Sequence, residues 1–317
     1  MNYYKYITGL TFSLLCAFSL SAKQVDQKLT VTASPQISIE NLRGKVIILG
    51  TDKNEVWVSG NLDEKSTEFV FTEDDNKVLI QVKMPSRMNS SFWDNEDTET
   101  KLHVHVPSNS IVNFQGVSSD AVISNITNEV YIKTVSGNIQ ADGLSKRVEL
   151  DSVSGDIKTK SLKGRINLNT VSGNIEDEQS TGRISYQAVS GDLDIISNAE
   201  EVYASVISGD LHIKLGNVND ATITSISGNV RAELDLADDG LLKMSTVSGD
   251  IKLSLQDDVN ADFRIASNAG GRIINKLTDD KVVTAKYGPS SKLTTTTGTG
   301  SASVKASTVS GSIRLSY

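Results

Sequence analysis

A tetrad of Val or Ile, Ser, Gly, and Asp or Asn recurs along most of this chain, and its spacing constrains the fold more than any other feature. Its first residue stands at Val135, Val153, Val171, Val189 and Ile207, each 18 residues after the last, with a variant at Val117 one period earlier. Ile226 follows after 19 residues, Val247 after 21, a degenerate copy at Ile265 after 18, and a last clean copy starts at Val309. Six copies in strict register are not chance. A fixed period of this size marks a repeat architecture, to be settled before any motif is read.

The rest of the period is patterned too. After Val153 come Ile157, Thr159, Leu162, Ile166, Leu168 and Thr170, and after Val135 come Ile139, Ala141, Leu144, Val148, Leu150 and Ser152. Most of this is alternation, the period of a strand with one buried face, and each period holds two such stretches, "VSGDIKTK" and "GRINLNT" for example. An 18-residue unit with two short strands is too small to fold alone. It becomes stable when stacked on its neighbours, which supply backbone hydrogen bonds and a second layer of contacts. The expected fold is therefore all-β: a parallel β-solenoid of 18-residue coils, two sheets face to face, with a turn at each edge. Val171 and Val189 should then pack one above the other in the stacked core. The extra residues between the copies at 207, 226 and 247 should bulge out as loops on one edge.

The tetrad has a job in such a fold. Gly137, Gly155, Gly173, Gly191, Gly209, Gly228, Gly249 and Gly311 would turn the chain between sheets, where positive φ or a close backbone approach calls for glycine. The preceding Ser can bond local backbone. The following Asp or Asn can do the same and stacks on its equivalents, with interleaved Asn relieving the repulsion of a pure Asp column. A cation-binding edge is the functional alternative for this column, but turn chemistry accounts for it.

At these residues the sequence resembles the bacterial DUF4097 family of candidate adhesins, whose strand repeats carry S-G-[DN] turns. It is also similar to the related head-domain family of candidate autotransporter adhesins. The resemblance extends to "IENLRGKVIILGTDKNEVWVSG" (39–60), which looks like the family's entry segment, and to "KLHVHVPSNSIVNFQGVSSD" (101–120), which looks like its passage into the repeats. "GTGSASVKASTVSGSIRL" (298–315) looks like its closing coil. The resemblance implies an exported two-sheet superhelix with an adhesive or envelope role. It brings no catalytic residues to carry over.

The first 22 residues read as a secretory signal peptide. Lys5 precedes an apolar run from Ile7 to Leu20, and small residues follow at Ser21 and Ala22. Cleavage near Ala22 removes Cys16, the single cysteine, so the mature chain is held by packing without disulfides. It also leaves no stable membrane span. Residues 23–106 are β-rich but out of register, and read as an N-terminal cap with the first irregular coils, with a small separate sandwich as the alternative. Residues 107–317 read as the repeat domain. With 31 Lys and Arg against 39 Asp and Glu, the net charge is −8, which offers nucleic acid no electrostatic footprint.

The catalytic inventory is thin. His103 and His105 in "HVHVP" should share an outer face roughly 7 Å apart, which is half a metal site at most, and His212 stands alone. No nucleophile–base pairing, phosphate loop or dinucleotide fingerprint is present. Asp177 and Asp194 are not assignable as an acid/base pair. No metal, cofactor or catalytic residue is expected. Phe92 and Trp93, in the acidic stretch "NSSFWDNEDTET", are the candidate ligand contacts outside the repeats. The reading is an exported, non-enzymatic β-solenoid of the periplasm or cell surface. It binds a surface ligand, a glycan or an envelope protein. The alternatives are a polysaccharide-acting β-helix enzyme and a periplasmic envelope-stress or signalling accessory.

Overall fold

The computed structural model describes residues 23–86 and 99–317. The leader at 1–22 and the pair Phe92 and Trp93 lie outside the described residues.

Within them the chain is all-β, and its centre is a long stack of parallel strands. Each repeat contributes two. One column runs through Val130–Thr134, Ser145–Ser152, Lys163–Thr170, Thr181–Ser190 and Glu201–Ser208, paired in parallel at a step of 18, so that Val148 faces Ile166 and Ile166 faces Ile184. The second runs through Ile139–Asp142, Ile157–Lys160, Ile175–Glu178 and Leu193–Ser197, where Ile157 faces Ile139 and Ile175. Both columns show the buried/exposed alternation of half-buried strands. The inward positions supply one continuous core of Ile, Leu, Val and Ala.

The longer periods do not form loops. Leu211–Ser227 and Val230–Ser248 are single long strands that contribute to both columns, and the extra residues appear as register shifts between Leu215 and Asn217 and between Val218 and Asp220. A bulge keeps the flanking backbone paired, whereas a loop would leave it unpaired.

Both ends of the stack are interleaved. The strand Gln36–Thr51 lies between Ile111–Ser124 on one side and the pair Lys77–Lys83 and Thr100–Pro107 on the other, parallel to all of them. Beyond that pair the strands turn antiparallel: Glu68–Asp74 lies on Lys77–Lys83, and Glu55–Asn61 on Thr100–Pro107 with Gln24–Thr30 outside it. Asp75 and Asn76, both at positive φ, make the hairpin turn between Glu68–Asp74 and Lys77–Lys83. At the other end Ala302–Ser310 and Ile313–Ser316 do not close the stack. Ala302–Ser310 sits between Val230–Ser248 and Ala261–Ser267, and Ile313–Ser316 between Ile251–Leu255 and Ile273–Asn275. The last clean tetrad is thus an inner layer, and the antiparallel strand Ser291–Thr296 covers Ala261–Ser267 from outside.

Candidate binding surface

The corner where each repeat passes from the first column to the second is built by the tetrad. Gly137, Gly155, Gly173, Gly191, Gly209, Gly228 and Gly249 stand in one file, and Gly311 continues it beside Gly249. A Cβ on any of them would fall inside the carbonyl oxygen of the preceding layer: Ser119 for Gly137, Gly155 for Gly173, Gly249 for Gly311. Gly271, not a residue of the degenerate tetrad at 265–268, extends the file against the Gly311 carbonyl. Close approach is common to the whole file. Positive φ is confined to the later part, with Gly209 at 147° and Gly249 at 152°.

The next residue ties the layers together. Asn138 N–H donates to Asp120 Oδ1 (2.8 Å), Asp156 N–H to Asn138 Oδ1 (3.0 Å), Asn174 N–H to Asp156 Oδ1 (2.8 Å), and Asp192 N–H to Asn174 Oδ1 (2.9 Å). The series continues through Asp210, Asn229 and Asp250 to the Ser312 N–H. The ladder runs from side chain to backbone, not amide to amide. Asp and Asn alternate freely because each offers an Oδ1 at the same reach.

A hydroxyl just before the tetrad, whose role the sequence did not announce, completes the early corners. Ser152 Oγ accepts from Gly155 N–H (2.8 Å) and donates to the Gly137 carbonyl (3.2 Å), and Thr134 repeats the pattern with Gly137 and Ser119. At the positive-φ corners the equivalent Ser225 and Thr246 hydroxyls are buried without a partner among the described residues.

The first residue of the tetrad corrects the sequence expectation. Val171 and Val189 do not pack in the core. By alternation Thr170 and Ala188 point inward, so their successors point out. Val117, Val135, Val153, Val171, Val189, Ile207, Ile226, Val247 and Val309 are all exposed, between 37 and 51 %. These nine stand in consecutive layers, giving a file of branched aliphatics about 38 Å long at the strand spacing. On one side runs a file of serines, Ser118 through Ser310, one per layer. On the other, from Asn169 on, stand Asn169, Gln187, Ser205, Thr224, Ser245 and Ser307. The two charges at the near end, Lys133 and Asp151, pair with each other at 3.1 Å. The stripe is therefore uncharged over most of its length on a chain of net charge −8. A groove of about 740 Å³ follows it from Val135 to Ile207. An apolar centre with a neutral polar rim is the anatomy of an interaction surface.

The remaining sequence candidates are scattered. His103 and His105 both face outward; His105 stacks on Trp57 with ring centroids 4.8 Å apart, and burial, then the neighbouring His103, lowers its pKa. His212 is exposed on a second-column strand. Among the described residues no three His, Cys, Asp or Glu converge as a metal site. Asp194 faces solvent while Asp177 faces the core, so the two do not form a pair. Asp177 accepts hydrogen bonds from the hydroxyls of Thr159, Ser180 and Tyr186, each at 2.6 Å. Burial raises its carboxyl above the ordinary range against the pull of those donors. Burial and the Asp177 carboxylate likewise push the Tyr186 phenol well up. A second buried network joins Arg43 to Asp63 at 2.5 Å, near the N-terminal end of the stack. No periodic signal marks either network, because each occurs once.

A family model described as Toastrack DUF4097 matches residues 108–218 and again 197–316. No curated protein matches the sequence. Among solved structures, a candidate adhesin of Parabacteroides distasonis is similar at 15 % identity, covering 73 % of this chain and 97 % of its own, with a TM-score of 0.49. One from Parabacteroides merdae has 15 % identity, coverage of 73 % and 96 %, and a TM-score of 0.45. One from Bacteroides fragilis has 13 % identity, coverage of 93 % and 98 %, and a TM-score of 0.38.

Proposed function

This chain belongs to the Toastrack DUF4097 family, and from that premise we propose that it is an exported, non-enzymatic β-solenoid that binds or scaffolds at the cell envelope in the manner of an adhesin. Each repeat is one coil of two facing sheets. Residues 1–22 are the leader, 23–106 the N-terminal cap with the first coils, and 107–317 the repeat domain. The eight tetrad glycines serve the turns, and Phe92 and Trp93 remain secondary ligand contacts. Export is supported by the order of charge, apolar run and small residues at the N-terminus. Among the described residues no helix is long and apolar enough to cross a membrane.

The observation that carries the binding role is the uncharged file of nine exposed aliphatic residues. Strand propensity favours Val and Ile here, but Thr would satisfy it too, and an aliphatic in all nine layers leaves a continuous apolar strip open to a partner. The surface suits a partner that lies along the stack and buries the file.

The test has two arms. Intact cells treated with external protease should lose the protein if it reaches the surface and keep it if it is periplasmic; retention in the cytosolic fraction sinks export. Immobilised protein should capture a defined envelope protein or glycan from membrane extracts. The triple variant Val171→Ser, Val189→Ser, Ile207→Ser should lose that capture while keeping its fold. Equal capture by parent and variant removes the stripe as the site.

A further inference from the structure

The outer face of the first column carries a second surface, independent of the apolar stripe. Elsewhere charges on the outer faces pair between successive layers: Lys158 with Glu176 at 2.9 Å, Lys214 with Glu233 at 2.8 Å, Lys133 with Asp151 at 3.1 Å. Three files of like charge break this habit: Arg231, Lys252 and Arg314; Lys243, Lys305 and Arg264; and Arg147, Arg165 and Arg183, the last with a groove and an exposed aromatic ring beside it. Arg147 faces Arg165, and Arg165 faces Arg183, in adjacent parallel strands. All three are exposed. Arg183 is held by Glu201 through Nε at 2.5 Å, and Arg147 and Arg165 make no ion pair among the described residues. Like charges in register at about 4.8 Å oppose strand pairing. Arg165, between two others, bears that cost most.

Beside this last file runs a groove of about 400 Å³, lined by Arg165 and Arg183, by Asn167, Ser185 and Tyr203, and at its far end by the carboxylates of Glu201 and Asp220; Arg147 stands one layer before it. Tyr203 is 43 % exposed. Guanidinium groups grip carboxylates or sulfates in bidentate fashion. An exposed phenol ring offers an apolar face for the C–H face of a sugar, and the amide and hydroxyl suit its hydroxyls. The run of positive charge is short: Glu129 precedes it one period before Arg147, and Glu201 and Asp220 follow it. Those carboxylates and the net charge of −8 repel every polyanion alike, so it is the exposed ring of Tyr203 that favours a sugar over polyphosphate. An acid group on a sugar polymer meets Arg147 and Arg165, which have no ion-pair partner among the described residues, while Glu201 already holds the Arg183 guanidinium through two nitrogens.

We propose that Arg147, Arg165 and Arg183, with Asn167, Ser185 and Tyr203, form a binding site for a short stretch of acidic polysaccharide lying along the stack. This goes beyond the binding role above by naming a ligand class at a different surface.

Affinity electrophoresis and calorimetry of the full chain test it, with polygalacturonate, its fully methyl-esterified form and long-chain polyphosphate as probes. Polygalacturonate should bind and the uncharged ester should not. Arg165→Gln should weaken binding at least tenfold without lowering the melting midpoint, since it relieves like-charge stacking. Tyr203→Ala should weaken polygalacturonate binding, and Arg264→Gln, on a distant strand, should leave it unchanged. The Ser variants of the apolar stripe should bind polygalacturonate as the parent does, so the two readings fail separately. The proposal is overturned if the ester binds equally, if Arg165→Gln has no effect, or if polyphosphate binds as tightly and Tyr203→Ala changes neither.

Discussion

Gly173 shows how little room a stacked layer leaves. Its φ lies outside the positive region, yet any side chain there meets the Gly155 carbonyl. Replacement by Ala should therefore be nearly as damaging as replacement by Val, each costing more than about 3 kcal/mol in urea unfolding, because both introduce the same Cβ. Its neighbour Asn174 gives the ladder its acceptor. Asn174→Ala should cost about 1 kcal/mol for the lost bond to the Asp192 N–H. Asn174→Asp keeps the acceptor, and its cost, mutual repulsion with Asp156 and Asp192, should fall as salt is added. Asp177 makes stability pH-dependent. Its carboxyl is raised in the fold, so the folded protein keeps a proton that the unfolded chain has lost. The stability this group contributes is complete below the ordinary aspartate pKa and declines as pH rises from there through the raised native value. The difference in unfolding midpoint between the parent and Asp177→Asn, followed by denaturant titration from acid to neutral pH, should shrink over that interval.

The strands at 302–316 belong to the interior of the stack, and that changes what a truncation does. Without them Val230–Ser248 and Ala261–Ser267 lose the strand that both pair with, and two sheet edges open at once. A chain ending at 297 should lose cooperative unfolding beyond residue 241 and become protease-sensitive there. A truncated chain with the parent's midpoint and proteolysis pattern would contradict the interleaved order. A family-like closing segment at 298–315 was legible in the sequence, but its position in the stack was not. Order along the chain and order in space agree only while each strand pairs with the next repeat, and here the chain moves one layer too far, then returns to fill the gap. The same holds for Gln36–Thr51, whose alternation reads as a strand but whose partners begin 41 and 75 residues later.

Taken whole, the molecule is a long parallel stack with antiparallel strands at its ends and two distinct surfaces on its outer faces. Because the stripe residues are exposed, Val171→Ser, Val189→Ser and Ile207→Ser should each change stability by less than about 1 kcal/mol. Ile166 and Ile184, buried on the same strands, should each cost several times more when replaced by Ser. Thermal melts of the two sets separate a file kept for packing from one kept for contact. Equal losses would place the valines in the core after all.

The period, the alternation and the glycine file were legible in the chain because stacking writes the same local constraint into every repeat. Thr170 inward was read in that alternation, but Val171 was still expected in the core, although in a strand the residue after an inward one faces out. The Arg147, Arg165 and Arg183 file follows the 18-residue period, whereas the Asp177 cluster and the Arg43–Asp63 pair were silent for a different reason. Each depends on which side chains meet across layers, and a non-repeating contact leaves no periodic trace. Pattern along the chain is set by geometry that every layer shares; which face a position takes, and which non-repeating side chains meet, is decided only when the layers stack.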